Sequence, residues 1–444
     1  MKKIFTRVFQ SLSVMLFMLL VTSVHAQEAD NEFTIDAKLN TRGEIRVGGF
    51  NPDSTDNERR AMFLTGQYRL NFSYKRSWLE LRLSPQAAGV WGHGSANLSL
   101  AEAWANMQTK NGFFCKIGRQ GLEYDDERIL GYDDWSMTAP THDVVKFGYE
   151  GYGHKVHAIL AYNQNADNVE TGTTYYSGGI QPYKTMQTLW YHYDTPKSMF
   201  GISLIGMNIG MQGKRNNDKK TYYQQLVGTY MTLKPRYVSM EGAFYYQFGR
   251  NEYGIPIKAF MGSAKVNVTP SDIYTLFAGY DYLSGDKYFV VPQDGQIGMI
   301  YHDTIRGFSS LFGSHHEFYG AMDFFFVDSY VSNFTPGLQN AYVGGNVTPF
   351  KGFDIKAAYH FYAIATDLPD VSKALGHEVE FEASYRFADF VKLSAGYTYM
   401  RGTETMLYLQ RVSENRRLHW GWIMLTINPT IFTIGWRDKA KLNR

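Results

Sequence analysis

Five arginines stand where planar, bidentate recognition of an anion can be organised. Arg46, Arg69 and Arg82 recur in the first ninety residues; Arg119 follows, then Arg128 inside the run Tyr124-Asp125-Asp126-Glu127-Arg128. A guanidinium offers a carboxylate or phosphate two parallel N–H bonds, so arginines lining one passage make a track for acidic solutes. Ion pairing gives the same residues a structural role: Glu102, Asp126 and Glu127 are partners that would pin a loop to a wall. Other constellations carry less. His315-His316 beside Glu317 and Asp323 has metal-ligating types, but neighbours on a strand point to opposite faces and do not readily share one ion. Tyr280-Asp281 to Asp286 offers oxygens suited to calcium, while Ser284-Gly285 explains the same run as a turn. His142 and Asp143 are adjacent and cannot orient each other as a catalytic dyad. The chain has no Gly-x-Ser-x-Gly, no His-Glu-x-x-His and no phosphate-binding glycine loop. It reads as a non-enzyme with no metal and no cofactor. Cys115, the single cysteine, cannot make an internal disulfide and sits in the run Gly112 to Ile117 as a packing residue.

The elements that carry these residues alternate with a period of two. Ile35, Ala37, Leu39, Ile45 and Val47 form one face of a segment whose other face is Asp36, Lys38, Asn40, Arg42, Glu44 and Arg46. Leu64, Tyr68, Leu70, Phe72 and Tyr74 alternate with Thr65, Gln67, Arg69, Asn71 and Ser73, and Leu79, Leu81 and Leu83 with Glu80 and Arg82. Further on, Phe353, Ile355, Ala357, Tyr359 and Phe361 alternate with Asp354, Lys356 and His360, and Val379, Phe381, Ala383, Tyr385 and Phe387 with Glu378, Glu380, Glu382 and Arg386. Alternate side chains point to opposite faces of a sheet. These segments run for about 10 to 14 residues, where strands of soluble proteins usually have about 5 or 6. Their charges gather on one face. That is the pattern of a transmembrane strand, apolar toward lipid and polar toward a lumen. A large soluble all-β protein is the competing reading.

Short connections mark one rim: Tyr74 to Ser77, Thr109 to Gly112, Gly151 to Gly153, Asp194 to Lys197, Lys234 to Arg236, and Thr269 to Asp272. Longer polar stretches separate them, as short turns alternate with long external loops in such barrels. The fold class is all-β, a transmembrane antiparallel β-barrel of about 18 strands, with 16 to 20 as the range. Counting segments gives about nineteen, and the turn/loop alternation breaks between residues 283 and 340. The stretch from Asp286 to Ser314 alternates least and is a candidate to fold into the lumen.

Lys2, Lys3 and Arg7, an apolar run near Val14 to Val24 and the site Val24-His25-Ala26 read as a secretory signal peptide over residues 1–26. The barrel domain then occupies 27–444. Removing the signal leaves 41 basic against 42 acidic residues, a net charge of −1, which excludes a basic nucleic-acid binder. Beyond the signal no stretch of 18 apolar residues remains. The 33 Tyr and 30 Phe suit the aromatic girdles of a barrel in an outer membrane, with Trp420, Trp422 and Trp436 among them. The tail from Arg437 to Arg444 extends past the aromatic that usually ends such chains.

Several runs resemble the alginate-export family of outer-membrane porins: Glu102-Ala103-Trp104, Ile117-Gly118-Arg119-Gln120, Tyr124 to Gly131, Trp135, Asp143, Gly279 to Asp286, and Leu311 to Asp323. The last two are the more specific. The resemblance implies an eighteen-stranded monomeric barrel passing solutes across the outer membrane of a Gram-negative bacterium, in the best-known members an arginine-lined exit duct for an anionic polysaccharide. The lumen face expected here is mixed. Arg42, Arg46, Arg69, Arg82, Lys116, Lys146, Lys356, Arg386 and Lys392 stand against Asp36, Glu44, Glu80, Glu102, Glu150, Glu317, Asp323, Asp354, Glu378, Glu380 and Glu382. Rings of one sign select ions of the other, so a mixed lining weakens polyuronate export. The expected function is a passive channel for small or acidic solutes. Its partners are outer-membrane lipid and those solutes, together with periplasmic or surface proteins, and exclude nucleic acid. A general nutrient porin and an adhesive barrel are the alternatives.

Overall fold

The computed structural model describes residues 30–47, 60–93, 97–133, 135–214, 219–286, 292–293, 296–297, 303–314, 316–323, 325, 335–369, 371–410 and 417–437. The expected signal peptide, most of 287–302, His315 and the tail 438–444 lie outside the described residues. Eighteen antiparallel strands close into one barrel. The first nine are β1 (Asp30–Val47), β2 (Arg60–Arg76), β3 (Leu79–Val90), β4 (Asn97–Gln108), β5 (Phe113–Gln120), β6 (His142–Gly151), β7 (His154–Tyr162), β8 (Thr185–Asp194) and β9 (Phe200–Gln212). The next eight are β10 (Thr221–Leu233), β11 (Val238–Arg250), β12 (Pro256–Ser271), β13 (Tyr274–Leu283), β14 (Leu338–Phe350), β15 (Phe353–Ala363), β16 (Ala374–Ala388) and β17 (Val391–Gly402). The last, β18, has two segments, Arg417–Ile427 and Thr430–Arg437.

Each strand pairs with its neighbour in sequence, and β18 returns to β1. Val47 lies opposite His419 and Leu39 opposite Ile427. Past the break, Ile35 lies opposite Phe432. Pro429, which has no N–H to give, falls in the break, and its carbonyl accepts from the Ala37 amide at 3.0 Å.

Burial is inverted relative to a water-soluble sheet. On β1 the polar Asn40, Arg42 and Glu44 are buried while Leu39 and Ile45 are exposed; on β2 Gln67 and Arg69 are buried while Leu64 and Leu70 are exposed. Apolar side chains facing out and polar ones facing in is what lipid on one side and a lumen on the other require. Residue alternation therefore assigns these faces as expected.

Eight tight turns share one rim with Asp30, where β1 begins, and Arg437, where β18 ends. At Tyr152-Gly153 both residues have positive φ, 54° and 81°, the mirror-image hairpin turn whose twist matches the flanking strands. Nine connections occupy the other rim. Three are long: residues 121–141, 163–184 and 284–337. The last resolves the break in turn/loop alternation. The described residues of 284–337 add no strand to the barrel, so the segment count of nineteen had one more than the eighteen expected.

Candidate functional site

Two of the long connections turn inward and meet. Leu130 bridges Phe312 in parallel. The Gly131 amide donates to the Phe312 carbonyl at 2.9 Å and the Phe312 amide to the Ile129 carbonyl at 3.1 Å. Glu127 clamps the junction. Its carboxylate accepts from the Tyr132 amide and the Ser314 hydroxyl, both at 2.8 Å. Asp125 and Glu127 take positive φ, 58° and 62°, a tight winding that aims Arg128 into the junction.

Arg128 is the knot. Its guanidinium donates to Asp126 and to Asp281 of β13, each at 3.0 Å, and to the Tyr319 hydroxyl at 3.3 Å. The Phe318 ring lies 4.2 Å beneath it. Burial opposes the charge, but the Asp281 carboxylate, with help from Asp126, holds its pKa well above the usual arginine range. One side chain thus ties the loop 121–141, the loop 284–337 and the barrel wall.

The wall anchors both loops elsewhere. Arg42 donates to the Trp135 carbonyl at 2.6 Å and Gln67 to the Met137 carbonyl at 2.9 Å. Gln247 of β11 exchanges two bonds with Ser309, at 2.7 and 3.1 Å. Trp135 stacks on His316, centroids 3.9 Å apart, and His316 contacts Asp323 at 3.0 Å. The Asp286 carboxylate accepts from the amides of Arg306, Gly307 and Thr335 at 2.6, 2.9 and 3.1 Å. Asp281 and Asp286 thereby act as structural acceptors, and no metal-type cluster occurs among the described residues.

The charged residues anticipated for the pore divide as follows. Arg46 pairs with Glu44 at 2.9 Å and keeps 40% of its side chain accessible; Arg82 pairs with Glu102 at 2.9 Å with 30% accessible. Arg69 is buried and donates to Gln86 at 2.7 Å. Lys146 faces inward near the Phe114 and Tyr124 rings. Glu80 lies opposite Lys75 and Asn106 in register. Lys356 pairs with Glu380 at 3.1 Å, and Arg386 reaches the Asp389 carbonyl at the short-turn rim, 3.2 Å away. Glu317 lies in the loop 284–337 and lines the cavity between the loops and the wall. Arg119 is a correction. Gln120 and Val144 are buried inward, so alternation turns Arg119 and its partner Asp143 outward, where they form a bidentate pair with both contacts at 2.8 Å. By the same rule His142 is buried and Asp143 is not.

Between the inward loops and the wall lies a cavity of about 660 Å³. Its lining includes Asp125, Asp126, Glu127, Glu241, Asp281, Glu317, Glu380 and Glu382 against Arg128, Lys265 and Lys356, an excess of five carboxylates. Glu241 and Lys265, paired at 3.4 Å, were not singled out from sequence. The inward phase of their strands is the signal that marks them. Glu317 crowds among acids: burial first, then Glu127, Asp133 and Asp126, push its pKa up. Across the lumen stand Arg69, Arg82, Lys116 and Lys146, from β2, β3, β5 and β6. In a ring of eighteen, strands nine apart face each other, so this basic wall, interleaved with Glu80, Glu102 and Glu150 of β3, β4 and β6, stands roughly opposite the acids of β11 and β13, while those of β16 face β7.

No family model and no curated protein matches the chain. Solved structures do. Pseudomonas aeruginosa OccK9 (OpdG) superposes with TM-score 0.61 at 13% identity, covering 90% of this chain and 98% of that one. Pseudomonas aeruginosa OccK2 (OpdF) in complex with glucuronate gives 0.59 at 12%, covering 90% and 98%. A BenF-like porin from Pseudomonas fluorescens Pf-5 gives 0.60 at 12%, covering 90% and 99%. The neighbours are not alginate-export proteins, so the resemblance to that family finds no support. The chain shares with these neighbours the fold of a porin-type, eighteen-stranded antiparallel barrel.

Proposed function

We propose that this chain is an outer-membrane channel through which small polar solutes diffuse passively, selected by a lumen that two inward loops narrow. The observation that carries this is the Arg128 knot inside a closed barrel that is apolar outside and polar within. A cavity of about 660 Å³ beside that knot falls in the range of small-molecule sites, roughly 300–1,000 Å³. A wide duct for polymer has no use for loops locked across its path.

Charge refines the reading. The acid-rich chamber and the opposite basic wall set up a transverse field, and the carboxylate excess gives the chamber a mild preference for cations. Solutes carrying both charges align across it. A sugar acid, like the glucuronate named with one structural neighbour, would meet the basic wall with its carboxylate.

The test is the reversal potential of the purified barrel in a planar bilayer under a salt gradient. The expected result is conductance with weak cation selectivity. Strong anion selectivity overturns the charge assignment, and absence of conductance overturns the channel.

A further inference from the structure

Lys116 of β5 lies directly opposite Lys146 of β6. Both face the lumen, because Gln120 and Val144 in the same phase of their strands are buried inward. Two ammonium groups directly opposite on neighbouring strands repel. Each carries three donors and no acceptor. Among the described residues neither has a hydrogen bond or an ion pair, and their contacts are with aromatic rings. The Lys116 ammonium lies 3.6 Å from the centre of the Trp104 ring, and that of Lys146 lies 5.8 Å from the centres of the Phe114 and Tyr124 rings.

The carboxylates of this wall are engaged elsewhere or stand farther off. Glu102 holds Arg82 at 2.9 Å and accepts from the Trp104 indole at 3.1 Å. Glu150 contacts His157 at 3.0 Å. Glu80 is two strands away from Lys116, with Asn106 between them in register. The two lysines thus present positive charge that no carboxylate neutralises at contact distance. The rings beside them are fixed. The Tyr124 hydroxyl and His157 Nδ1 meet at 2.9 Å. Phe114 packs edge-on against His157, centroids 5.1 Å apart, and lies over Gly148, the next inward position on β6, where a Cβ would collide with its ring. An anion held by the ammoniums therefore has a rigid aromatic surface for its carbon skeleton.

Charge selects among anions. A monocarboxylate neutralises one ammonium. A phosphate monoester carries about −1.5 to −2 at pH 7 with three acceptor oxygens, enough for both, and lysine binds phosphate as a point charge.

We propose that Lys116 and Lys146 form a phosphate subsite in the lumen, taking the phosphate of a small phosphorylated solute of the sugar-phosphate type, with its carbon skeleton against Trp104 and Phe114. The subsite rests on the reading that solutes cross this lumen.

The full barrel in mild detergent, added to glucose 6-phosphate and followed by the phosphorus-31 NMR linewidth, tests it. Wild type should broaden the resonance. Lys116→Gln/Lys146→Gln should weaken binding by roughly tenfold or more, the scale of losing two hydrogen bonds to a charged group. Lys116→Arg should keep most of it. Glucuronate, with a single carboxylate, should compete about tenfold less well, one such bond being lost. Equal broadening by wild type and double variant overturns the subsite. Competition by glucuronate as strong as by glucose 6-phosphate itself overturns the phosphate assignment. Inorganic phosphate bound as tightly as the sugar phosphate overturns the solute assignment in favour of a free anion. Single-channel conductance of the same samples reports folding and the channel reading separately. Phosphate binding without conductance sinks the channel and leaves the subsite standing; conductance without phosphate binding does the reverse.

Discussion

Arg128 and Asp281 meet at 3.0 Å with 6% and 2% of their side chains accessible, an ion pair between an inward loop and the barrel wall. Both side chains are almost wholly buried; Asp126 is the second partner of Arg128, and the Asn340 amide that of Asp281. Arg128→Gln strands the Asp281 carboxylate, and loss of one partner of a buried pair costs about 3–5 kcal/mol. The strand ladders do not pass through this contact, so the loss should fall on the loops. The expected outcome is a folded barrel with higher and noisier single-channel conductance. Arg128→Gln/Asp281→Asn should recover part of the wild-type signal, since the deeply buried carboxylate is gone and only the more accessible Asp126 is left without its guanidinium. Unchanged conductance in the single variant would show that the knot does not set the lumen's width.

Glu317 makes conductance depend on pH. Burial and the acids around it raise its pKa, so as pH falls from neutral it takes up its proton before ordinary carboxylates do. Cation selectivity should therefore fall at higher pH than exposed acids would dictate, and Glu317→Gln should remove that early component. The linkage has the same sign. A carboxyl whose folded pKa is raised opposes folding when ionised, so its contribution to stability improves as pH falls from the raised value to the ordinary one and is level below that. Reversal potentials measured at stepped pH for both proteins check this; coincident profiles would remove Glu317 from the account.

How much of this was legible in the sequence follows from the range of the interactions. Leu39 against Asn40, or Phe381 against Glu380, announces its face two residues at a time, so barrel, lumen and membrane side could be read locally. The expected eighteen strands are found; segment counting alone overshot by one at 284–337, whose described residues mix apolar and polar types without adding a strand. Arg119 was misplaced because Gly118-Arg119-Gln120 ends a strand, where alternation had few residues left to show its phase. The knot is of another kind. Arg128 and Asp281 stand 153 positions apart, and no period links them. The runs that suggested alginate export, Tyr124 to Gly131, Gly279 to Asp286 and Leu311 to Asp323, do converge on that knot. They mark how a barrel seats its inward loops, which does not specify what passes.

Asp286 should govern how firmly the loop 284–337 is seated. Its carboxylate receives amides from both arms of that loop, Arg306 and Gly307 on one and Thr335 on the other. Asp286→Ala leaves three donors without their acceptor at about 1–3 kcal/mol for each that stays buried. Limited proteolysis should then cut within 287–334 faster, while the heat-resistant migration of the folded barrel persists. Wild-type cleavage rates would argue that the remaining contacts, those of Arg128, Glu127 and Gln247 among them, suffice to hold the loop.

The two charged walls should pull selectivity in opposite directions. Arg46 and Arg82 keep 40% and 30% of their side chains accessible, and Glu317 and Glu382 line the cavity on the far side. Arg46→Gln/Arg82→Gln removes positive charge from β3 of the basic wall and from β1 next to it, and should raise the cation-to-anion permeability ratio. Glu317→Gln/Glu382→Gln should lower it. Partly exposed charges act through screened fields, so each double substitution should move the ratio by roughly twofold, the scale of about 0.5 kcal/mol, and both shifts should shrink in high salt. If both pairs moved the ratio the same way, the lumen would have no opposed walls and the transverse field would fail as the basis of selection. If only the arginines mattered, passage would run along the basic wall, and acidic solutes would be the ones it admits.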